Sequence, residues 1–317
     1  MYKKLETFKS VRVPTGEIRI VEGTHGKLEM LSIGDYGKGV NLNQRAPVPD
    51  GLPIMPLTEK WVVTISTQYG CSMGCVFCDV PKVGPGRNAT ADDLAGQILN
   101  AIEDETKPDH TSRLNVHYAR MGEPTWNPDV LANAVWLHKT YRQSHNPHPV
   151  VSTMMPHKNK KLIWFLKEWM RIKNDVYDGE AGLQLSINST CEVERKSMFS
   201  GSACSLLEAA VVMGDMKPRG RKITLNFAVA GYTVDADLLA SLFSPDIYIC
   251  KLTPMHKTVS AEVAGIRTRG DYTHYEPYEE IEERLEKAGY EVLTFIASRE
   301  EDKSRITCGN AILAGGE

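Results

Sequence analysis

The stretch Trp61-Val-Val-Thr-Ile-Ser66-Thr-Gln-Tyr-Gly70-Cys71-Ser-Met-Gly-Cys75-Val-Phe-Cys78 sets an apolar, β-branched run directly ahead of three crowded cysteines. Such a run, bounded by a glycine, reads as a buried strand, so the cysteines lie on the loop that leaves its C-terminal end. Intervals of three and then two residues between the cysteines let one loop point three thiolates at one centre. Three ligands are one short of a closed structural zinc site, and the nearest histidines downstream, His110 and His117, are distant. Thiolates suit a [4Fe-4S] cluster, and a loop that supplies three of them leaves one iron open to an outside ligand. A zinc knuckle or chance crowding is the bland alternative.

Outward from this loop, strand-like runs alternate with helical patterns. The strand candidates are Trp61 to Ser66, Leu114 to Arg120, Val150 to Thr153, Leu183 to Ile187, Ile223 to Val229 and Ile247 to Leu252. Leu162, Phe165, Leu166 and Trp169 recur at helical spacing, and Thr90 with Asp93 predicts a capping box opening a helix at Ala91. Strands alternating with helices imply parallel pairing through right-handed crossovers, in a barrel or a doubly wound sheet. Both place functional residues just beyond the C-terminal strand ends. Residues 1–60 differ: short alternating runs at Gly16 to Glu22 and Lys27 to Ile33, then a proline-rich loop from Ala46 to Pro56, predict a small β-rich appendage, with residues 61–317 as the main domain.

The chain of 317 residues is 42% apolar and 24% charged with a net charge of −3, which excludes disorder, a coiled coil and a surface wholly given over to nucleic acid. No stretch approaches the roughly 18 apolar residues of a membrane span, and the N-terminus carries no signal-like apolar core, so a cytoplasmic protein without membrane contact is expected. Four further cysteines, Cys191, Cys204, Cys250 and Cys308, are scattered rather than paired in a framework.

The cysteine spacing on a strand-to-helix loop, with the aromatic Phe77 before the last cysteine, resembles the radical S-adenosylmethionine (AdoMet) superfamily. Met121-Gly122-Glu123-Pro124 is similar to the superfamily segment that meets the methionyl ammonium group, and Ser152 and Ser186 match positions that contact its carboxylate or ribose. Ser66-Thr-Gln-Tyr-Gly70, Val151-Ser-Thr153, Leu185-Ser-Ile187, Leu252-Thr-Pro254 and Cys308-Gly-Asn310 together resemble the RlmN/Cfr family, over about Trp61 to Ile312. The resemblance implies a partial (β/α)6 barrel, a [4Fe-4S] cluster on Cys71, Cys75 and Cys78, AdoMet as cosubstrate, an electron donor such as flavodoxin or ferredoxin, and methylation of an adenine ring carbon in RNA. It also implies that one AdoMet methylates Cys308 and that a second yields the 5′-deoxyadenosyl radical, which acts on the new S-methyl group.

Two positions depart from that family. Thr64 stands where it has a second catalytic cysteine, so methyl transfer would end differently, recruit another thiol such as Cys191, Cys204 or Cys250, or be absent; His256 stands where it has an asparagine, a different donor geometry toward the ribose. The family's helical N-terminal RNA-binding domain is not apparent. Arg267, Arg269, Tyr272, His274 and Tyr275, with Lys217, Arg219, Arg221 and Lys222, are candidates to stack a base and hold phosphates of RNA or a nucleotide-like substrate. Glu279, Glu280, Glu282 and Glu283 would repel a polyanion. The readings that follow are an adenine C-methyltransferase, a radical AdoMet enzyme that abstracts hydrogen from a small molecule or nucleotide without methyl transfer, and a cluster-bearing binding protein.

Overall fold

The computed structural model describes residues 1–37, 48–266, 276–304, 306 and 313. Strands β1 (Glu6–Val13), β2 (Gly16–Gly23) and β3 (Gly26–Ile33) form an antiparallel meander. β3 then pairs antiparallel with β4 (Trp61–Ile65), Leu31 opposite Thr64, so the N-terminal strands continue the main sheet. β5 (Gln68–Gly70) and β6 (Pro85–Asn88) make a separate hairpin that brackets the cysteine loop. Next come α1 (Ala91–Ile102), β7 (Leu114–Tyr118), α2 (Asp129–Tyr141), β8 (Pro147–Thr153), α3 (Leu162–Arg171) and β9 (Gly182–Ser186). They are followed by α4 (Glu192–Met198), α5 (Leu206–Met213), β10 (Ile223–Val229), α6 (Ala236–Leu242), β11 (Tyr248–Pro254), α7 (Val259–Val263), α8 (Glu276–Lys287), β12 (Val292–Thr294) and α9 (Arg299–Lys303).

From β4 the parallel strands lie in the order β4-β7-β8-β9-β10-β11-β12, each beside its predecessor. A doubly wound sheet would reverse its order at a switch point. This one never does, so it winds one way as a partial barrel, the expected architecture. The six strands read from sequence are β4 and β7 to β11, with ends shifted by a few residues. β12 is an addition that three residues of sequence could not announce.

Alternation along the strands separates two environments. Trp61, Val63 and Ile65 of β4, and Tyr248, Cys250 and Leu252 of β11, are buried on the side that carries the helices. The intervening Val62, Thr64, Ile249, Lys251 and Thr253 face the lumen. Helix α3 shows what drives the outer layer: Leu162, Phe165, Leu166 and Trp169 are all buried, while Ile163 and Trp164 on its other face are 49% exposed. Burying each of these four side chains stabilises the fold by roughly 1.5–3 kcal/mol. Trp169 Nε1 donates to Gly182 O at 3.0 Å and its ring meets Tyr118 edge-on, which seats α3 on β7 and β9.

The capping box at α1 is present in both directions: Thr90 accepts from the Asp93 amide, and Asp93 accepts from the Thr90 amide at 2.8 Å. Asp93 also accepts from Tyr69 Oη at 2.7 Å and from the Thr24 amide at 2.8 Å, tying α1 to the β2–β3 turn and to the strand that precedes the cysteines. Among the described residues no helix is long and apolar enough to cross a membrane.

Candidate active site

The cysteine loop begins where a side chain has no room. Gly70 has φ +77°, and a Cβ there would lie 2.0 Å from Gly84 O, so β5 and β6 close tightly beneath Cys71. From there the loop is pinned on three sides. Cys78 N donates to Cys75 O at 3.1 Å, Val76 N donates to Met198 O at 3.0 Å, and Thr258 Oγ1 donates to Phe77 O at 2.6 Å. Asp79, the next residue, accepts from the Ser260 amide at 2.9 Å and from Lys82 Nζ at 2.7 Å, which fixes the loop to α7.

The second wall is the segment after β7. Gly122 has φ +94°, and a Cβ would sit 2.5 Å from Gln68 Cβ. Gln68 Oε1 accepts from the Glu123 amide at 3.0 Å and from Ser72 N at 3.2 Å, so one side chain couples the cysteine loop to the Gly-Glu-Pro segment. Glu123 is buried and held by four donors. Oε1 accepts from Thr125 N at 3.1 Å, Thr125 Oγ1 at 2.7 Å and Thr153 Oγ1 at 2.7 Å; Oε2 accepts from Met154 N at 2.8 Å. Oε1 is therefore saturated and Oε2 keeps a lone pair available to a cation. Burial raises the Glu123 carboxyl above its ordinary value, against the downward pull of the Met154 amide and the threonines.

These residues line one cavity of about 330 Å³ at the C-terminal strand ends. Its lining includes Cys71, Cys75, Cys78, Phe77, Gly122 and Glu123, and also Ser152, Ser186 and His256. Ser152 Oγ donates to Gln184 Oε1 at 3.3 Å across the lumen face. Phe77 packs edge-on against Phe199 with ring centroids 6.1 Å apart. Burial pushes the Cys71 thiol up to about 11, and Cys75 rises well above its usual value through burial and then the neighbouring Cys78 and Cys71. Among the described residues no three His, Cys, Asp or Glu side chains converge as they would on a single metal ion. A cluster makes no such demand, since its cysteines ligate different irons.

Thr64 faces this cavity, at the position where the resemblance places a second cysteine. Cys191, Cys204 and Cys250 do not line it: Cys250 is buried on the helix side of β11, Cys204 is buried beside Arg195, and Cys191 caps α4. The alternation that turns Lys251 into the lumen turns Cys250 away from it. Cys308 lies outside the described residues, as do Arg267, Arg269, Tyr272, His274 and Tyr275. Lys217, Arg219 and Lys222 precede β10, at the strand end opposite the cysteines, where Arg219 pairs with Asp175 at 2.9 Å and Lys222 with Glu291 at 2.5 Å. They do not border the cavity.

Glu29 and Arg120 were not singled out from the sequence. Glu29 on β3 and Arg120 after β7 form a buried ion pair, with Arg120 Nε donating to Glu29 Oε1 at 2.6 Å. Arg120 Nη1 donates to Ile306 O at 3.2 Å, and Leu313 N donates to Glu29 Oε2 at 3.2 Å. The pair thus grips the chain on both sides of residue 308, and Ile306 itself lines the cavity. A Glu inside the apolar run Leu28 to Leu31 was the available signal.

No family model matches the chain. A dual-specificity RNA methyltransferase RlmN of Campylobacter concisus is 42% identical over 76 residues, 24% of this chain and 20% of that protein. The RlmN of Sorangium cellulosum is 28% identical over 263 residues, 80% of this chain and 62% of its own length. The chain thus spans less than two thirds of these curated relatives. Among solved structures, a radical SAM methyltransferase from Sphaerobacter thermophilus superposes with a TM-score of 0.64 over 93% of this chain and 77% of its own, at 20% identity. The fold is that of a radical AdoMet partial barrel, and by sequence the chain resembles the RlmN/Cfr branch of that superfamily.

Proposed function

We propose that the chain is a radical AdoMet enzyme that methylates a carbon of an adenine-type base, in RNA or in a nucleotide, with Cys308 as the methyl carrier. Residues 61–317 are then the catalytic barrel and residues 1–60 its N-terminal extension. Cys71, Cys75 and Cys78 hold a [4Fe-4S] cluster, Glu123 receives the AdoMet ammonium group on Oε2, and Ser152, Ser186 and His256 meet its carboxylate or ribose. Phe77 and Gly122 shape the walls. When bound, the cluster supplies the electron that splits AdoMet, delivered to it by a flavodoxin or ferredoxin. A cytoplasmic, reducing setting belongs to the same reading.

The observation that carries it is the shared cavity, in which three thiols and a buried carboxylate meet at the C-terminal strand ends. The donor set fits a cluster: thiols that burial keeps protonated give up their protons on ligating metal, whose positive charge would offset the burial and the neighbouring thiolates that raise Cys75. In the carrier step the Cys308 thiolate attacks the AdoMet methyl carbon, the methyl–sulfonium bond breaks, and S-adenosylhomocysteine leaves. Support for Cys308 comes from Ile306, two residues earlier, which lines the cavity under the hold of Arg120. Thr64 cannot form a disulfide, and Cys191, Cys204 and Cys250 are turned elsewhere. Release of product therefore calls on an outside thiol.

Thr64 also favours a second reading, hydrogen abstraction without methyl transfer. Anaerobically reconstituted protein, given AdoMet and reductant and analysed by mass spectrometry, separates the two. Methyl transfer consumes two AdoMet per product and yields S-adenosylhomocysteine; the second reading yields 5′-deoxyadenosine without it. One four-iron cluster per chain is expected by iron and sulfide analysis and Mössbauer spectroscopy, and should be lost when the three cysteines become alanine. Stoichiometric zinc bound at these cysteines in place of iron would overturn both readings.

A further inference from the structure

Beneath the cluster cavity the lumen continues into a second space of about 310 Å³, and among the residues lining both are Thr64, His117, Gln184, Lys251, Thr253 and His256. Lys251 and His117 face this shared zone from opposite parts of the barrel, β11 and β7. In register beside Lys251 stands Asn226 of β10, and beside that Ser186 of β9. Both Lys251 and His117 keep part of their surface uncovered, and what they face is the cavity.

The lower space is lined by Asp35 and Glu301 as well as by Lys251 and Arg221, but neither carboxylate forms an ion pair with Lys251. No carboxylate among the described residues lies within ion-pair distance of Lys251 Nζ, and Asp35, the nearby acid that favours its charged form, already pairs with Lys60 at 2.8 Å. Arg221 lines the lower space and adds a second cation. Burial, then Lys251 and Arg221, push His117 down to about 3, so its imidazole is neutral and offers one N–H donor. Burial and then Arg221 lower Lys251 as well. A lysine largely withdrawn from solvent with no carboxylate at ion-pair distance carries a desolvation cost that an apolar side chain of similar length would not. Its stem and charge point instead into the space that leads to the cysteines.

We propose that Lys251, with His117 and Asn226 as neutral hydrogen-bond partners, is the receptor for an oxyanion group, carboxylate or phosphate, of the molecule that reacts in the cluster cavity. This rests on the reading above only in taking that cavity as the place of reaction. It narrows the substrate class to an anionic small molecule or nucleotide whose charged end enters the lumen. AdoMet brings a carboxylate of its own, so two molecules can present the same chemistry.

The test uses the full chain with its cluster reconstituted, and calorimetry in two arms. One arm compares adenosine 5′-monophosphate with adenosine; the other compares AdoMet with decarboxylated AdoMet. At least about tenfold tighter binding of the anionic member is expected, one charge-assisted hydrogen bond's worth. Lys251→Met should erase that preference and Lys251→Arg should keep it. Loss in the first arm assigns the oxyanion to the substrate, and loss in the second assigns it to AdoMet. Lys251→Met should also melt no lower than wild type, because it removes a partly desolvated ammonium that makes no ion pair with a described carboxylate. The proposal is overturned if neither anionic ligand is preferred by wild type, or if Lys251→Met keeps both preferences. Because binding is read directly, AdoMet cleavage with failed anion preference would sink this proposal while leaving the proposed function standing.

Discussion

Glu123→Gln tests the AdoMet site most directly. The side-chain oxygen of glutamine can keep the three bonds that Oε1 now accepts from Thr125 N, Thr125 Oγ1 and Thr153 Oγ1. Its amide nitrogen then occupies the Oε2 position and confronts the Met154 N–H, donor against donor, where a 2.8 Å bond exists now. One unsatisfied buried amide costs about 1–3 kcal/mol of stability. Loss of a charge-assisted bond to the AdoMet ammonium removes about 1.5–3 kcal/mol of binding, or roughly ten- to a hundredfold in affinity. Glu123→Ala is the poorer probe. It strips partners from the two backbone amides, which cannot turn elsewhere as the threonine hydroxyls can, at a cost of about 2–6 kcal/mol. Iron content, thermal melting and AdoMet calorimetry on reconstituted Glu123→Gln should show a full cluster, a modestly lowered Tm and weakened AdoMet binding. A folded variant with wild-type affinity would refute the assignment, and one that loses iron would mean Glu123 supports the cluster loop instead.

Protein incubated with AdoMet should gain one methyl mass on the peptide that contains Cys308, and Cys308→Ala should abolish this gain while reductive AdoMet cleavage continues; an unmodified Cys308 during substrate methylation would end the carrier role. In wild type without added thiol, single turnover should stop as a substrate adduct on Cys308, and Thr64→Cys, placed in the same cavity, should release it. The third prediction concerns acid stability. Burial, then Arg113, push His148 down to about 4, well below the value of about 6.5 in an unfolded chain. Between those values the unfolded state binds the extra proton, so stability falls as pH drops from about 6.5 toward 4, by up to about 1.4 kcal/mol per pH unit for this one group. His148→Gln should shrink the difference between urea midpoints at pH 7 and pH 5, and an unchanged difference would count against a buried neutral histidine.

How much of this was legible beforehand divides by the range of the interactions. The cysteine loop, the Thr90–Asp93 capping box, the α3 stripe and six parallel strands are local patterns, carried by spacing and periodicity within a dozen residues, and they stand in the structure as read. The segment Met121 to Pro124 was legible for the same reason, but what makes Glu123 a held carboxylate was not. Two of its four donors come from Thr125 close by, but the other two come from Thr153 and Met154, about thirty residues downstream, a contact that no local pattern announces. Alternation announces that a strand has two faces without saying which one meets helices and which one the lumen. Lys251 and Cys250 are neighbours in sequence, and only the winding of the sheet decides that the lysine enters the cavity while the cysteine joins the core. Glu29 and Arg120 are 91 residues apart, and no periodicity links them. Their pairing exists because β3, β4 and β7 lie side by side, and a contact made by adjacency of strands is a property of the closed-up sheet, which the chain acquires only on folding.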